Sequence, residues 1–99
     1  MIALSPSAQD DIQQLARFYA ERERPAAIRN LAAAVARAAV RIERDPAAGL
    51  AAPRPYPKLA KPGRAWVKEG PYWIAYATTN PPVISGVFHE AADIPRRIR

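Results

Sequence analysis

The sequence predicts a single α+β domain with its elements in the order β-α-α-β-β-β, and three observations lead there. Apolar residues recur every three to four positions before Asp45, whereas after Arg64 they alternate, so a helical half precedes a strand half. The eleven prolines fall between predicted elements or in their first turns, as a consistent assignment requires. A chain of 99 residues, 49% of them hydrophobic and 24% charged, supplies one modest core and not two, so the predicted domain spans residues 1–99.

Ile2-Ala3-Leu4 is short and apolar and reads as a first strand at or near a sheet edge. Ser5-Pro6 follows as an N-cap with proline at the first helical position. Ala8, Ile12, Leu15, Ala16 and Tyr19 form the stripe of a helix running to about Arg24, with Asp10 and Asp11 placed near its first turn, where the macrodipole favours acids. Pro25 then suits the first turn of a second helix, whose stripe is Ile28, Leu31, Val35, Ala38 or Ala39, and Ile42. Only a few residues separate the two helices, which predicts an antiparallel helical hairpin. Asp45-Pro46 ends it, because the residue before proline is pushed out of the helical region.

Residues 46–63 carry five prolines and two glycines and read as a loop without regular structure. The stretch Trp66 to Tyr76 comes next, holding both tryptophans, and it reads as a β-hairpin turning at Glu69-Gly70-Pro71. Along its second strand Tyr72, Ile74 and Tyr76 share one face and Trp73, Ala75 and Ala77 the other. Both faces are largely apolar. One is expected to pack on the helices, and the other to be covered by a partner or to expose Trp73. After the turn at Asn80-Pro81-Pro82, Val83 to Phe88 form the last strand, followed by His89 to Pro95 and the basic tail Arg96-Arg97-Ile98-Arg99.

The formal net charge is +6, and it is unevenly placed. Residues 1–45 hold seven basic and six acidic side chains, whereas residues 46–99 hold eight and three. A basic second half points to an anionic partner such as nucleic acid, a ribosome or an acidic protein. The sequence has no cysteine, no basic leader segment and no apolar run long enough to span a membrane, which is the pattern of a soluble cytoplasmic chain.

One histidine and no cysteine leave no zinc ligand set, no glycine-rich phosphate loop is present, and Ser5, Ser7 and Ser85 lack the context of a nucleophile, so neither a metal nor a cofactor is expected. Two groups of residues retain chemical potential. His89 is the one side chain suited to proton transfer near neutrality, and Asp93, four residues on, would orient it if the tail turns helically. Arg54, Lys58, Lys61, Arg64 and Lys68 form a basic set suited to stabilising a phosphorane-like transition state or binding a phosphate backbone.

The element order, the Ser-Pro helix start, Gly70-Pro71-Tyr72-Trp73-Ile74-Ala75-Tyr76, Val83-Ile84-Ser85-Gly86-Val87-Phe88-His89 and the ending His89-x-x-x-Asp93-Ile94-Pro95 together resemble the RelE/ParE superfamily of type II toxins. The Tyr72-x-Ile74-x-Tyr76 strand and the His89 to Asp93 segment look like its ParE branch. The resemblance implies a small bacterial cytoplasmic toxin, held in a hetero-oligomeric complex by a cognate antitoxin whose acidic or amphipathic segment wraps it. It further implies DNA gyrase as the target, inhibited by protein binding. On that reading Arg54, Arg64, Lys68, His89 and Asp93 are the target-binding residues, and Trp73, Tyr76 and Phe18 bind the antitoxin.

Two alternatives accompany it: a metal-independent, ribosome-dependent mRNA endoribonuclease of the RelE kind, using Lys58, Lys61, Arg64 and His89, and a non-toxic regulatory module that only binds antitoxin. Two departures from the family pattern bear on the choice. Ala92 stands where a basic residue often precedes the aspartate, and Trp73 stands where a basic residue is usual, which makes that face more suited to protein docking than to RNA.

Overall fold

The computed structural model describes residues 2–98; Met1 and Arg99, the last residue of the expected basic tail, lie outside the described residues. The order is β1 (Ala3–Leu4), α1 (Pro6–Glu21), α2 (Pro25–Arg44), β2 (Arg64–Glu69), β3 (Tyr72–Ala77), β4 (Val83–His89) and a short α3 (Ile94–Arg97). The predicted α+β architecture is therefore present. The four strands form one sheet in the order β1-β4-β3-β2, antiparallel except where β1 pairs with β4, so the first strand does lie at an edge.

Local chemistry sets the helix ends. Ser5 is the N-cap of α1, its hydroxyl accepting from the Ala8 amide at 3.1 Å, and Pro6 opens the helix. α1 stops at Glu21 rather than Arg24, because Glu23 adopts a left-handed conformation at φ 53° and the Arg24 amide folds back to the Tyr19 carbonyl at 2.9 Å. Asp10 and Asp11 lie a turn deeper than expected, with Asp11 reaching across to β4. The loop over residues 46–63 contains more order than predicted, with 3-10 turns at Pro46–Ala48 and Pro57–Leu59 and a bridge between Leu50 and Trp66. Glu69 belongs to β2, so the hairpin turn is Gly70-Pro71, with Gly70 at φ 54° where a side chain would be strained.

The helical hairpin covers one face of the sheet. Leu31, Ala34, Ala38 and Ile42 of α2 and Ala8 and Tyr19 of α1 bury Val67, Tyr72, Ile74, Tyr76, Ile84 and Val87. The alanines on α2 let its backbone approach the sheet closely, and each large side chain withdrawn from water contributes roughly 1.5–3 kcal/mol. Gly49 is needed beneath this layer, since a Cβ there would overlap the Tyr76 hydroxyl and lie 2.8 Å from Ala65 Cβ.

The opposite face holds Trp66, Trp73, Ala75 and Phe88, and the chain covers it with Tyr56 and Leu59 of the loop and Ile94 and Ile98 of the tail. This corrects the expectation of a bare apolar face around Trp73: the indole is 4% exposed, and neither a partner nor solvent is needed to account for it. Tyr76, on the helix-facing side, is completely buried and donates to the Pro46 carbonyl at 2.6 Å.

The β2 edge, and the part of β4 that the two-residue β1 leaves uncovered, are occupied from within. On β2, Leu50 exchanges two 2.8 Å hydrogen bonds with Trp66, and Arg41 donates to the Lys68 carbonyl at 2.9 Å. On β4, Ser5 N–H bonds to the Ile84 carbonyl at 2.9 Å, Asp11 accepts from the Val87 amide at 3.1 Å, and the Ala92 amide bonds to the His89 carbonyl at 2.9 Å. Such capping discourages the addition of a foreign strand. No helix among the described residues is long and apolar enough to cross a membrane.

Candidate functional site

α1, β4 and the turn into the tail enclose a groove of about 730 Å³. On a helix, residues three and four apart share a face, so Asp11, Gln14, Leu15 and Phe18 form one wall. Phe18 lies off the buried stripe and is 45% exposed, with its ring edge-on to Tyr19 at 5.8 Å and the Arg22 guanidinium 3.6 Å above it. The other wall is Val87, Phe88, His89, Ala91 and Ala92, and Arg24 and Arg97 place positive charge at the rim.

Behind the groove the Tyr19 and Tyr72 hydroxyls meet at 2.6 Å. Burial, and next the hydrogen bond to Tyr19, raise the Tyr72 phenol well above its ordinary range. The His89 ring stands edge-on to Tyr72 at 5.6 Å, and its Nδ1 accepts from the Ala91 amide at 3.0 Å. Asp93 turns instead to Arg96, at 3.3 Å, so the expected pairing of His89 with Asp93 is corrected: the helical turn begins only at Ile94, after both residues.

The basic set does not gather at one point. Arg54 and Lys68 flank the Trp73 indole at 5.5 and 5.6 Å, and Lys68 also pairs with Glu90 at 2.7 Å. That bond, and next the Lys68 charge, hold the Glu90 carboxyl below its usual range. Lys68 and His89 thus sit at the same end of the sheet, Lys68 opposite Trp73 and His89 opposite Tyr72. Arg64 sits at the other end, opposite Ala77. Lys61 and Arg64 line a separate cleft, and Lys58 is exposed on the loop. The five residue steps from Tyr72 to Ala77 along β3 span about 17 Å at the strand rise, which separates His89 from Arg64.

Of the sequence-predicted residues, Phe18 and His89 come together in the groove, whereas Trp73 and Tyr76 lie in the two cores on opposite faces of the sheet. Arg24 and Arg97 join the groove without having been singled out, since a wall assembled from segments some seventy residues apart leaves no local signal in the sequence. Among the described residues no group of three or more acidic, histidine or cysteine side chains is arranged to hold a metal ion.

The chain is thus a helical hairpin laid on a mixed sheet, with its first strand parallel to the last and an aromatic, basic groove along the first helix. A family model described as the ParE toxin of the type II toxin–antitoxin system parDE matches residues 2–94, and the chain belongs to this family. It is thus the toxin component of such a system, and the family implies an antitoxin partner. No curated protein matches the chain.

Proposed function

We propose that this toxin inhibits DNA gyrase by binding it as a protein, and that its antitoxin neutralises it by occupying the groove between α1 and β4. The observation that carries the reading is the groove, where the half-exposed Phe18 and the cations Arg24 and Arg97 stand beside His89. An apolar anchor rimmed by positive charge suits an acidic amphipathic segment, and the capped edges of β2 and β4 favour docking into a groove over strand addition. Phe18 is the antitoxin contact on this reading. Trp73 and Tyr76 act from beneath, by fixing the sheet against which the groove is built.

Target contacts fall to Arg54, Lys68 and His89 at the hairpin end of the sheet, with Asp93 on the adjoining tail. Arg64 lies too far away to join them. An antitoxin in the groove would cover His89, which couples neutralisation to loss of a target contact. The experiment is DNA supercoiling by purified gyrase in the presence of the toxin, with and without antitoxin.

The ribonuclease reading draws on Lys61 and Arg64, which share a cleft. It is weakened by the roughly 17 Å along β3 that part Arg64 from His89, since a general acid or base must reach the phosphate that the arginine holds. The regulatory module without toxicity needs only the groove, and an inert result in both gyrase and ribosome assays would select it.

A further inference from the structure

The second cleft, of about 410 Å³, reaches the end of the sheet where Arg64 pairs with Ala77, and it shares Asp11 and Phe88 with the groove. Its floor is Ala75, Ala77 and Gly86, three residues that leave the sheet surface low, and Ile98 and Phe88 close its apolar side. Ser5, Ser7 and Ser85 bring hydroxyls to its walls, and Lys61 and Arg64 bring charge.

Several features of this cleft point to an anionic occupant. Arg37, Arg41, Lys68 and Arg96 are each paired with a carboxylate elsewhere on the molecule, whereas Lys61 and Arg64 are the two cations on this wall. Arg64 donates through Nη2 to the Leu59 carbonyl, while its Nε is buried with no hydrogen-bond partner. Two cations on one wall favour a ligand rich in acceptor oxygens. A β-bulge aims Ser85: Ala75 pairs with Gly86 and Tyr76 with Ile84, so Ser85 is skipped in the register, a device that re-aims side chains beside binding sites. Ser5 already accepts from Ala8 N–H, so its own O–H is left to donate outward, and the cleft lies at the N-terminal turn of the sixteen-residue α1, where negative charge is favoured. Asp11 is the one acid on the wall, and its Oδ2 accepts from the Val87 amide.

We infer that this cleft is a phosphate-binding site, with Lys61 and Arg64 supplying charge and Ser5, Ser7 and Ser85 supplying hydrogen bonds to a tetrahedral oxyanion. The proposal is one of binding alone: among the described residues no histidine lines the cleft. The inference is independent of gyrase, and its test reads binding alone.

The full-length chain, isotopically labelled, is titrated by nuclear magnetic resonance with inorganic phosphate, a mononucleotide, and short single-stranded DNA and RNA. Saturable shifts at the amides of Ser7, Gly63 and Gly86 are expected. Lys61→Ala or Ser85→Ala should weaken binding while leaving the remaining spectrum in place, Lys61→Ala by about tenfold, the factor for one charge-assisted hydrogen bond. Tighter binding of either oligonucleotide would assign the phosphate to nucleic acid, and equal affinity for inorganic phosphate would assign it to a free phosphate group; both outcomes support the site. Absence of saturable shifts at millimolar phosphate, shifts confined to other residues, indifference to Lys61→Ala, or acetate binding as tightly as phosphate would each overturn it.

Discussion

The Tyr19 hydroxyl on α1 and the Tyr72 hydroxyl on β3 meet at 2.6 Å within the core, joining the helical hairpin to the sheet directly behind the candidate groove. Each ring is nearly inaccessible, so each hydroxyl depends on the other for its hydrogen bond. Removing one partner leaves a buried hydroxyl unsatisfied. Tyr72→Phe and Tyr19→Phe should therefore each cost about 1–3 kcal/mol, and the double variant clearly less than their sum, as chemical denaturation of all four forms would show.

The same pair predicts alkaline sensitivity. The folded state raises the pKa of Tyr72, by burial first and by the bond to Tyr19 second. A raised folded pKa gives stability that is fully present below the unfolded value, near 10 for tyrosine, and is lost as pH rises beyond it. The unfolding midpoint should fall above about pH 10, and Tyr72→Phe should flatten the part of that fall due to this phenol.

A contrast between two aromatic residues separates docking from folding. Trp73 is 4% exposed and Phe18 45%. Trp73→Ala should destabilise the domain by about 3–5 kcal/mol, the range for losing a large buried aromatic, so any loss of antitoxin binding would follow from unfolding. Phe18→Ala should change stability by about 1 kcal/mol or less and still weaken antitoxin binding about tenfold or more, the scale of an interface anchor. Calorimetric binding measured beside thermal melts would show the two effects separately, and a Phe18→Ala variant of unchanged affinity would remove the groove from the account.

Glu69 ties α2 to the end of β2, accepting from Arg37 at 3.0 Å and Arg41 at 2.9 Å. Burial raises its pKa, but the hydrogen bonds and charges of Arg41 and Arg37 outweigh burial and hold the carboxyl below its usual range. A lowered folded pKa gives stability that is present above the unfolded value, near 4.3 for glutamate, and is lost as pH falls through the folded one. Because both arginines are more than half exposed, solvent screening limits the network to about 1 kcal/mol. Glu69→Gln should lower stability by that amount at neutral pH and converge with the parent in acid, as urea titrations at both pH values would show.

Much of the fold was legible from the sequence, and for identifiable reasons. Ser5-Pro6, Pro25 and Asp45-Pro46 mark helix boundaries through short-range chemistry, and the alternation from Tyr72 to Tyr76 sorts side chains to the two sheet faces. The cover over Trp73 was not legible. It comes from Tyr56, Leu59, Ile94 and Ile98, residues from two irregular segments whose apolar side chains follow no period. The groove was half legible, since Phe18 and His89 were singled out separately, but their juxtaposition depends on how α1 crosses β4. The bulge that isolates Ser85 left no sign in the sequence, as a skipped residue in a strand alters no hydrophobic pattern strongly enough to be read.

Supercoiling of relaxed plasmid by purified gyrase, titrated with this toxin and run beside primer-extension mapping on translating ribosomes, tests the central claim most directly. The account predicts loss of supercoiling that stoichiometric antitoxin restores, with messenger RNA left intact. Supercoiling untouched by the toxin, together with ribosome-dependent cleavage abolished by His89→Ala and Arg64→Ala, would contradict it.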